Sequence, residues 1–505
     1  MVEEKKGGSA RRSRRQNTGI WLGPVLAIAL QFLPLPNLLL DQAGDIASAR
    51  SAWIVLSLLI LMAVWWISEA VPIPVTSLLP LVVLPLAGVL SIRDVSGEYA
   101  HPVVVLLMGG FIIAKAVERW NLHTRIALIV VARAGYHPSM IVAGFMLAAA
   151  LLSMWISNTA TSMMMMPIAL SVAGSVFAAG PQRSAFTYAL LLGIAWSCSI
   201  GGLGTPVGTP TNLIVIGYLN ETAGFQISFS QWMMLGVPAV ILMVPAAWVV
   251  LTRWAFPLGK LKVESGSAAG GEIRTRLAAL GPMSVPETRT LVVFALVACL
   301  WVFRGPLTGL TIMGAAPLAG MTDHLIAIFG VIILFLIPSG DASQPAERLL
   351  DWPTAESIPW GVLLLFGGGM ALASAITATG LGGWIGAELG GLSAFPTLVV
   401  MLVLTTLVIF ATEVTSNVAT AASLMPVIGA VALSTGLPVE LLAAPLALAA
   451  SCAFMLPLAT GPNAVVFATG EISLPTMAGA GIRLNLIAIP LITAIVYLIA
   501  PSALG

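Results

Sequence analysis

Charge is scarce in this 505-residue sequence: only 9% of its residues are Asp, Glu, Lys or Arg, whereas 58% are hydrophobic. Globular domains carry roughly 25% charged residues, so this chain lacks the polar side chains to cover a water-exposed surface of its size. Its long apolar stretches are separated by short polar loops, a pattern typical of membrane proteins. The sequence therefore predicts an all-α polytopic integral membrane protein.

Cysteine and histidine are also few. Cys198, Cys299 and Cys452 lie in apolar segments, which predicts small buried residues rather than disulfides or metal ligands. The four histidines, at positions 101, 123, 137 and 324, are widely scattered. Because neither a His/Cys cluster nor a nucleophile–base set can be assembled, the sequence is not expected to be an enzyme.

Positive charge is concentrated ahead of the first apolar run, at Lys5, Lys6, Arg11, Arg12, Arg14 and Arg15. That run, about residues 20–40, is too long for the ~7–15-residue core of a cleaved signal peptide. It is predicted to be a retained span in the cell (inner or plasma) membrane, with the N-terminus in the cytoplasm under the positive-inside rule. Charge localised in this way gives no indication of nucleic-acid binding.

The apolar runs predict about eleven crossings, which would leave the C-terminus outside. Two further apolar segments, 139–178 and 396–436, carry a polar break at mid-length and are predicted to be re-entrant hairpins with arms of about half a span or slightly more. The predicted organisation is a basic N-terminus and first helix (1–50), a first repeat (51–254), a cytoplasmic linker (255–286) and a second repeat (287–505). The linker is basic and contains a Ser-, Gly- and Ala-rich part, which predicts flexibility.

The two hairpins repeat one motif. Ser416-Asn417 follows Ser157-Asn158 by 259 positions, and a Met-Pro pair follows both motifs at the same distance. Two Gly- and Pro-rich interruptions, at 201–212 and 456–463, follow the hairpins inside otherwise apolar helices. Irregular backbone at membrane depth occurs only where it is buried in protein or lines a cavity. Such pairs in two inverted halves indicate a transporter binding site.

The residue types in these breaks suit two kinds of ligand. Sodium, a hard cation, takes oxygen ligands, and Ser153 and Thr412 stand five residues before Asn158 and Asn417, close enough to complete oxygen cages. Helix N-termini beyond each tip supply N–H groups and a positive dipole end for an anion. Two facing tips favour a dicarboxylate, although sulfate also fits.

These residues resemble the divalent anion/sodium symporters, a family of dicarboxylate, citrate and sulfate carriers. The resemblance runs from about residue 50 to the C-terminus. It rests on Ser157-Asn158-Thr159, Ser416-Asn417-Val418 and the stretches 69–76, 201–212, 229–233 and 451–460. It implies a homodimer in the lipid bilayer, with a scaffold domain and a transport domain that moves like an elevator.

The resemblance also implies roles for individual residues. The first sodium site would comprise Ser153, Ser157, Asn158 and Gly204, and the second Thr412, Asn417 and Ala459. The substrate would lie among Ser157, Asn158, Thr159, Ser416, Asn417, Val418 and Thr460. Val418 replaces the threonine found at the first tip, and Thr211 and Gly461 stand where a proline is usual, so the backbone there is expected to differ locally.

Charged residues near membrane depth receive simpler interpretations. Glu69, Lys115, Glu118 and Arg119 fall near predicted span ends, which favours interfacial pairing or snorkelling. Glu413 adjoins the second tip and is expected to make a structural hydrogen bond. The predicted function is sodium-coupled symport of C4-dicarboxylates (succinate, malate, fumarate). The alternatives are an exchanger or a carrier of sulfate or citrate, and the internal duplication disfavours a channel.

Overall fold

The fold is entirely helical in the part of the chain that the computed structural model describes. That part is residues 13–504 without 136, 178–179, 223, 260–266, 312–314, 342–343, 389–390 and 392–393. Within it no strand occurs, and an isolated bridge pairs Pro338 with Arg348. The predicted all-α class is confirmed.

The described residues of the first half of the chain form thirteen α-helices. They are α1 (Arg14–Gln31), α2 (Asn37–Ala43), α3 (Ile46–Ser68), α4 (Ile73–Thr76), α5 (Leu79–Leu86), α6 (Ile92–Glu98), α7 (Pro102–Arg119), α8 (Leu122–Ala132), α9 (Pro138–Ser153), α10 (Asn158–Val176), α11 (Pro181–Gly201), α12 (Pro210–Thr222) and α13 (Phe229–Val249). A π-helical stretch, Val250–Ala255, extends α13.

The second half follows a similar order. Its helices are α14 (Ser267–Ala279), α15 (Val285–Val302), α16 (Arg304–Thr308), α17 (Asp323–Leu336), α18 (Trp352–Ala355), α19 (Trp360–Ala378), α20 (Leu381–Glu388), α21 (Thr397–Val414), α22 (Asn417–Thr435), α23 (Val439–Ala450), α24 (Gly461–Ala468) and α25 (Leu474–Ala503). Both predicted interruptions are confirmed: α11 and α12 are separate helices, as are α23 and α24.

Nine helical stretches of the described residues are long and apolar enough to cross a membrane. The hairpin arms α9, α10, α21 and α22 have 16, 19, 18 and 19 residues. A helix rises 1.5 Å per residue, so these arms are longer than the predicted half-spans. Length alone therefore does not decide whether the hairpins turn back, and the count of about eleven crossings stays a prediction.

Three local expectations are corrected. The first span ends at Gln31 instead of about residue 40, because Pro34 and Pro36 cannot continue the helix. Of the predicted flexible linker, residues 260–266 lie outside the described part of the chain, and residues 267–279 form α14, where an Arg276–Glu272 pair of 2.7 Å spans one helical turn. Cys198 and Cys452 are buried as predicted, but Cys299 is exposed.

The two interrupted helix pairs pack together. α9 and α10 contact α11, α10 contacts α24, α21 and α22 contact α23, and α12 contacts both α22 and α23. Of the long apolar stretches, the one that contains α11 is the most deeply enclosed, since 94% of its apolar segment is buried inside the protein. Gly201 lets it approach α9, since a side chain there would strike the backbone of Ala150. A second apolar core joins α3, α5, α19 and α20 to α22.

Candidate functional site

A cavity of about 470 Å³ lies where the four helix breaks meet. The breaks separate α9 from α10, α11 from α12, α21 from α22, and α23 from α24. The first residues of the four following helices, Asn158, Pro210, Asn417 and Gly461, all line the cavity. Four helix N-termini, each the positive end of a helix dipole, are thus gathered around one space.

All seven residues predicted to bind substrate line this cavity. They are Ser157, Asn158, Thr159, Ser416, Asn417, Val418 and Thr460. Ser416 and Thr460 cap α22 and α24 by accepting hydrogen bonds from the backbone N–H groups of Ala419 and Asn463, each 3.2 Å long. Ser157 makes no such capping bond at α10. Val418 presents methyl groups where the first tip has the hydroxyl of Thr159.

Behind the first tip, four oxygen atoms lie close together. Asn158 Oδ1 lies 2.5 Å from Ser153 Oγ, and it lies 3.2 and 3.3 Å from the carbonyl oxygens of Cys198 and Gly208. Ser153 is fully buried. The hydroxyl of Ser153 donates to this amide oxygen, but the contacts with the two carbonyl oxygens are stable only when a cation lies among them, or when the amide is rotated so that its nitrogen donates.

Behind the second tip the same arrangement recurs. Asn417 Oδ1 lies 3.0 Å from both Thr412 Oγ1 and the carbonyl oxygen of Ala450, and 3.2 Å from the carbonyl oxygen of Ala459. Thr412 is fully buried, and its hydroxyl donates to Ala450 over 2.8 Å. The predicted ligands Thr412, Asn417 and Ala459 therefore come together.

Two residues predicted for the first sodium site, Ser157 and Gly204, are not among the groups recorded at hydrogen-bonding distance from Asn158 Oδ1. The glycine whose carbonyl faces Asn158 is Gly208, and Gly204 packs against the side chain of Met154. Both glycines belong to the same irregular stretch, and the sequence spacing did not distinguish between them. The carbonyls of Cys198 and Ala450 were not predicted either, because any residue type can supply a backbone carbonyl.

Two asparagines hold the irregular stretches in shape. Asn212 Nδ2 donates to the carbonyls ten and seven positions earlier, those of Gly202 and Thr205, over 2.9 and 2.8 Å. Asn463 Nδ2 donates at the same two spacings, to Ala453 and Leu456, over 2.9 and 3.1 Å. Both asparagines are fully buried. Their position at the end of each Gly- and Pro-rich stretch was the signal that could have identified them.

The Glu413 side chain binds the backbone of the second irregular stretch. Its carboxylate accepts hydrogen bonds from the backbone N–H groups of residues 454, 455 and 456, and a fourth from Asn485 Nδ2 over 2.7 Å. The side chain is almost fully buried, with 3% exposure. The expected structural hydrogen bond of Glu413 is present.

The charged residues at the end of α7 form ion pairs. Lys115 Nζ lies 2.7 Å from Glu118 Oε2, and both residues line the cavity. Arg119 instead pairs with Glu347 at 2.7 Å and with Asp351 at 2.6 Å. Hydrogen bonds from Thr354, together with Arg119, lower the pKa of the Asp351 carboxyl to about 2. The segment before α18 is thereby tied to α7.

Comparison with known proteins agrees with this architecture. The family described as the sodium:sulfate symporter transmembrane region matches residues 20–500. The chain belongs to this family. It is 40% identical over 498 residues to a sodium-dependent dicarboxylate transporter, SdcS, of Staphylococcus saprophyticus, covering 97% of this chain and 92% of that protein. The same-named protein of Staphylococcus aureus strain USA300 is 40% identical over 499 residues, covering 98% and 93%.

The fold also has a solved counterpart. The crystal structure of the YdaH transporter of Alcanivorax borkumensis superposes with a TM-score of 0.58 at 16% identity, covering 90% of this chain and 98% of that one. Family membership confirms the resemblance to the divalent anion/sodium symporters. It also confirms that the chain is an integral membrane transporter and not an enzyme.

Proposed function

We propose that this chain is a secondary active transporter that couples sodium to the symport of C4-dicarboxylates such as succinate, malate and fumarate. The observation that carries the proposal is the pair of oxygen clusters behind the two tips, on either side of a cavity ringed by helix N-termini. The names of the Staphylococcus relatives, sodium-dependent dicarboxylate transporters, support the same ion and substrate class.

Sodium is the cation that these clusters fit. Neutral hydroxyl, amide and carbonyl oxygens suit a hard ion of low charge, whereas calcium sites usually include carboxylates. Adjacent ligands of an ion about 2.4 Å away lie about 3.4 Å apart, and the carbonyl oxygens lie 3.0 to 3.3 Å from the two Asn oxygens. Ser153 Oγ, at 2.5 Å from Asn158 Oδ1, lies at hydrogen-bonding distance. The first site comprises Ser153, Asn158, Cys198 and Gly208, and the second Thr412, Asn417, Ala450 and Ala459.

The substrate position follows from the same geometry. A dianion between the tips accepts hydrogen bonds from Ser157, Asn158 and Thr159 at one end and from Ser416 and Asn417 at the other. Helix N-termini add positive potential without a fixed charge at the tips. Neutral donors hold the substrate loosely enough for release. Bound sodium at both clusters raises the affinity of each tip for a carboxylate, which couples the two gradients.

The transport cycle is proposed to be of the elevator type. α9–α13 and α21–α25, which contain the four helix breaks and pack against one another, would form the transport domain, and α3, α5 and α19 would belong to the scaffold. The two halves would be inverted repeats, and the protein a homodimer with its N-terminus in the cytoplasm and its C-terminus outside. The shared Asn hydrogen bonds at equal spacings in both irregular stretches support the repeat.

A sulfate or citrate carrier and a dicarboxylate exchanger are the alternatives, and the family description itself contains sulfate. The test is radiolabelled succinate uptake into proteoliposomes with an inward sodium gradient, with potassium in place of sodium as the control. Sodium-driven uptake that malate and fumarate compete would support the proposal. Uptake only into dicarboxylate-preloaded vesicles would make the protein an exchanger, and no succinate uptake in either condition would refute the proposed substrate.

A further inference from the structure

The proposed transport cycle gives no role to the charged pair in the cavity wall. Lys115 and Glu118 lie near the C-terminal end of α7, and their side chains are 27% and 20% exposed. Ser357 and Pro359, in the segment leading into α19, line the same cavity. Among the described residues that line it, Lys115 carries the single positive charge and Glu118 the single negative charge.

A structural role explains this pair poorly. Partly exposed ion pairs contribute little to stability, because water screens the attraction and two long side chains lose conformational freedom. Ionisable side chains within membrane spans are costly and are retained where they act on an ion or substrate. Their shared position in the wall of a cavity proposed for a dianion is therefore better explained by the substrate.

We propose that Lys115 forms a docking subsite for one carboxylate of the dianionic substrate, and that Glu118 forms an ion pair with Lys115 when the substrate is absent. This inference rests on the proposed function. A carboxylate that reaches the end of α7 replaces Glu118 as the partner of the ammonium group. The substrate then moves on to the neutral donors at the tips, and Lys115 returns to Glu118.

The two charges consequently act in opposite directions on the substrate. Lys115 attracts the dianion, whereas Glu118 repels it and competes for the same ammonium group. Loss of Lys115 weakens binding, and loss of Glu118 strengthens it. If the pair only connected two turns of α7, neutralising either partner would break the same contact and have the same effect. The sign of the Glu118 effect therefore separates the two explanations.

The experiment measures the equilibrium succinate Kd of the purified full-length protein in saturating sodium, which avoids the mixed orientations of proteoliposomes. We expect Lys115→Met to raise the Kd about fivefold and Glu118→Gln to lower it. Both effects should shrink at high salt, since the Debye length falls from about 10 Å at 0.1 M to about 3 Å at 1 M. Lys115→Arg, which keeps the charge, should bind like the wild type.

Three results would overturn the docking subsite. They are an equal loss of succinate affinity in both neutral variants, an unchanged Kd in both, or changes in Kd that do not depend on salt concentration. If Lys115→Met does not fold, the direction of the Glu118→Gln change decides the question. The sodium concentration for half-maximal binding should stay at the wild-type value in every variant. Failure of the proposed function is distinguishable, because it shows in the wild type as absent succinate binding, and sulfate then serves as the dianion for the same comparison.

Discussion

Replacing Thr412 by Val tests the second sodium site without touching the substrate. The two side chains have nearly the same shape, and Thr412 is fully buried behind the cavity. The change removes one of four oxygens around the proposed ion, the one 3.0 Å from Asn417 Oδ1. A hydrogen bond or similar contact to a charged group is worth about 1.5–3 kcal/mol. At 1.4 kcal/mol per tenfold change, sodium affinity should fall about 10- to 100-fold.

The assay has a kinetic and a thermodynamic part. In sodium titrations of succinate uptake, the half-maximal sodium concentration should rise by that factor, while the succinate KM at saturating sodium stays near the wild-type value. In thermal unfolding, sodium at 100 times its wild-type Kd stabilises the protein by about 2.7 kcal/mol. If the Kd rises 100-fold, this stabilisation falls to about 0.4 kcal/mol.

The control lies on the same helix. Thr406 donates to the carbonyl of Leu402 one turn earlier and lies away from the cavity, so Thr406→Val should leave the sodium titration unchanged. Ser153→Ala should reproduce the Thr412→Val effect at the first site. A folded Thr412→Val protein with wild-type sodium dependence would refute the cation interpretation, and the rotated amide of Asn417 would then explain the geometry.

Three further substitutions each test a different set of contacts in the structure. Glu413→Gln loses the charge that accepts three backbone N–H groups, so the second irregular stretch should loosen and uptake should fall at every sodium concentration. Arg125→Ala leaves the carboxylate of Glu287, now 2.9 Å from Arg125 Nε, buried without its partner and should destabilise the protein by about 3–5 kcal/mol in denaturation measurements. Gly461→Ala places a methyl group on Thr159 Oγ1 and should raise the succinate KM severalfold.

Matched control variants separate these specific effects from a general loss of folding. Glu471→Gln changes an exposed glutamate in a loop, and Gly479→Ala adds a methyl group where no atom lies within 4 Å. Both should transport like the wild type. For Arg125, the double variant with Glu287→Leu and Arg125→Leu should recover part of the lost stability, because it leaves no unpaired charge. Equal loss of stability in the single and double variants would contradict that reasoning.

The repeated motif made the centre of the site predictable from sequence. Ser157-Asn158 and Ser416-Asn417 could be paired because polar residues inside apolar segments are conspicuous, and an offset of 259 positions cannot be mistaken for helical periodicity. Helix-breaking Gly and Pro located the second pair of interruptions for the same reason. All seven side chains assigned to the substrate reach one cavity, since each belongs to a break that the sequence identified.

Backbone ligands were predictable only in part. Gly204 and Gly208 lie in one irregular stretch, and which carbonyl turns toward Asn158 depends on the path of the chain between them. That path is fixed by Asn212, which binds the carbonyls of Gly202 and Thr205, and by Gly208 itself, where a side chain would strike the backbone of Gly202 and Met154. The sequence shows that both glycines are present, whereas the carbonyl that faces Asn158 depends on these packing contacts.

The direction of a charged side chain is also difficult to predict from sequence, and Lys115 is an example. Sequence alone placed it near a span end, where a lysine can extend its ammonium group to the interface. A side chain in such a position has two possible destinations, the lipid interface or an internal cavity, and helix position does not choose between them. The choice is made by the neighbouring helices: α19 and the segment before it meet α7 at the same cavity. The ammonium group therefore faces the space proposed for an anion, and an interfacial anchor becomes a residue that can act on the substrate.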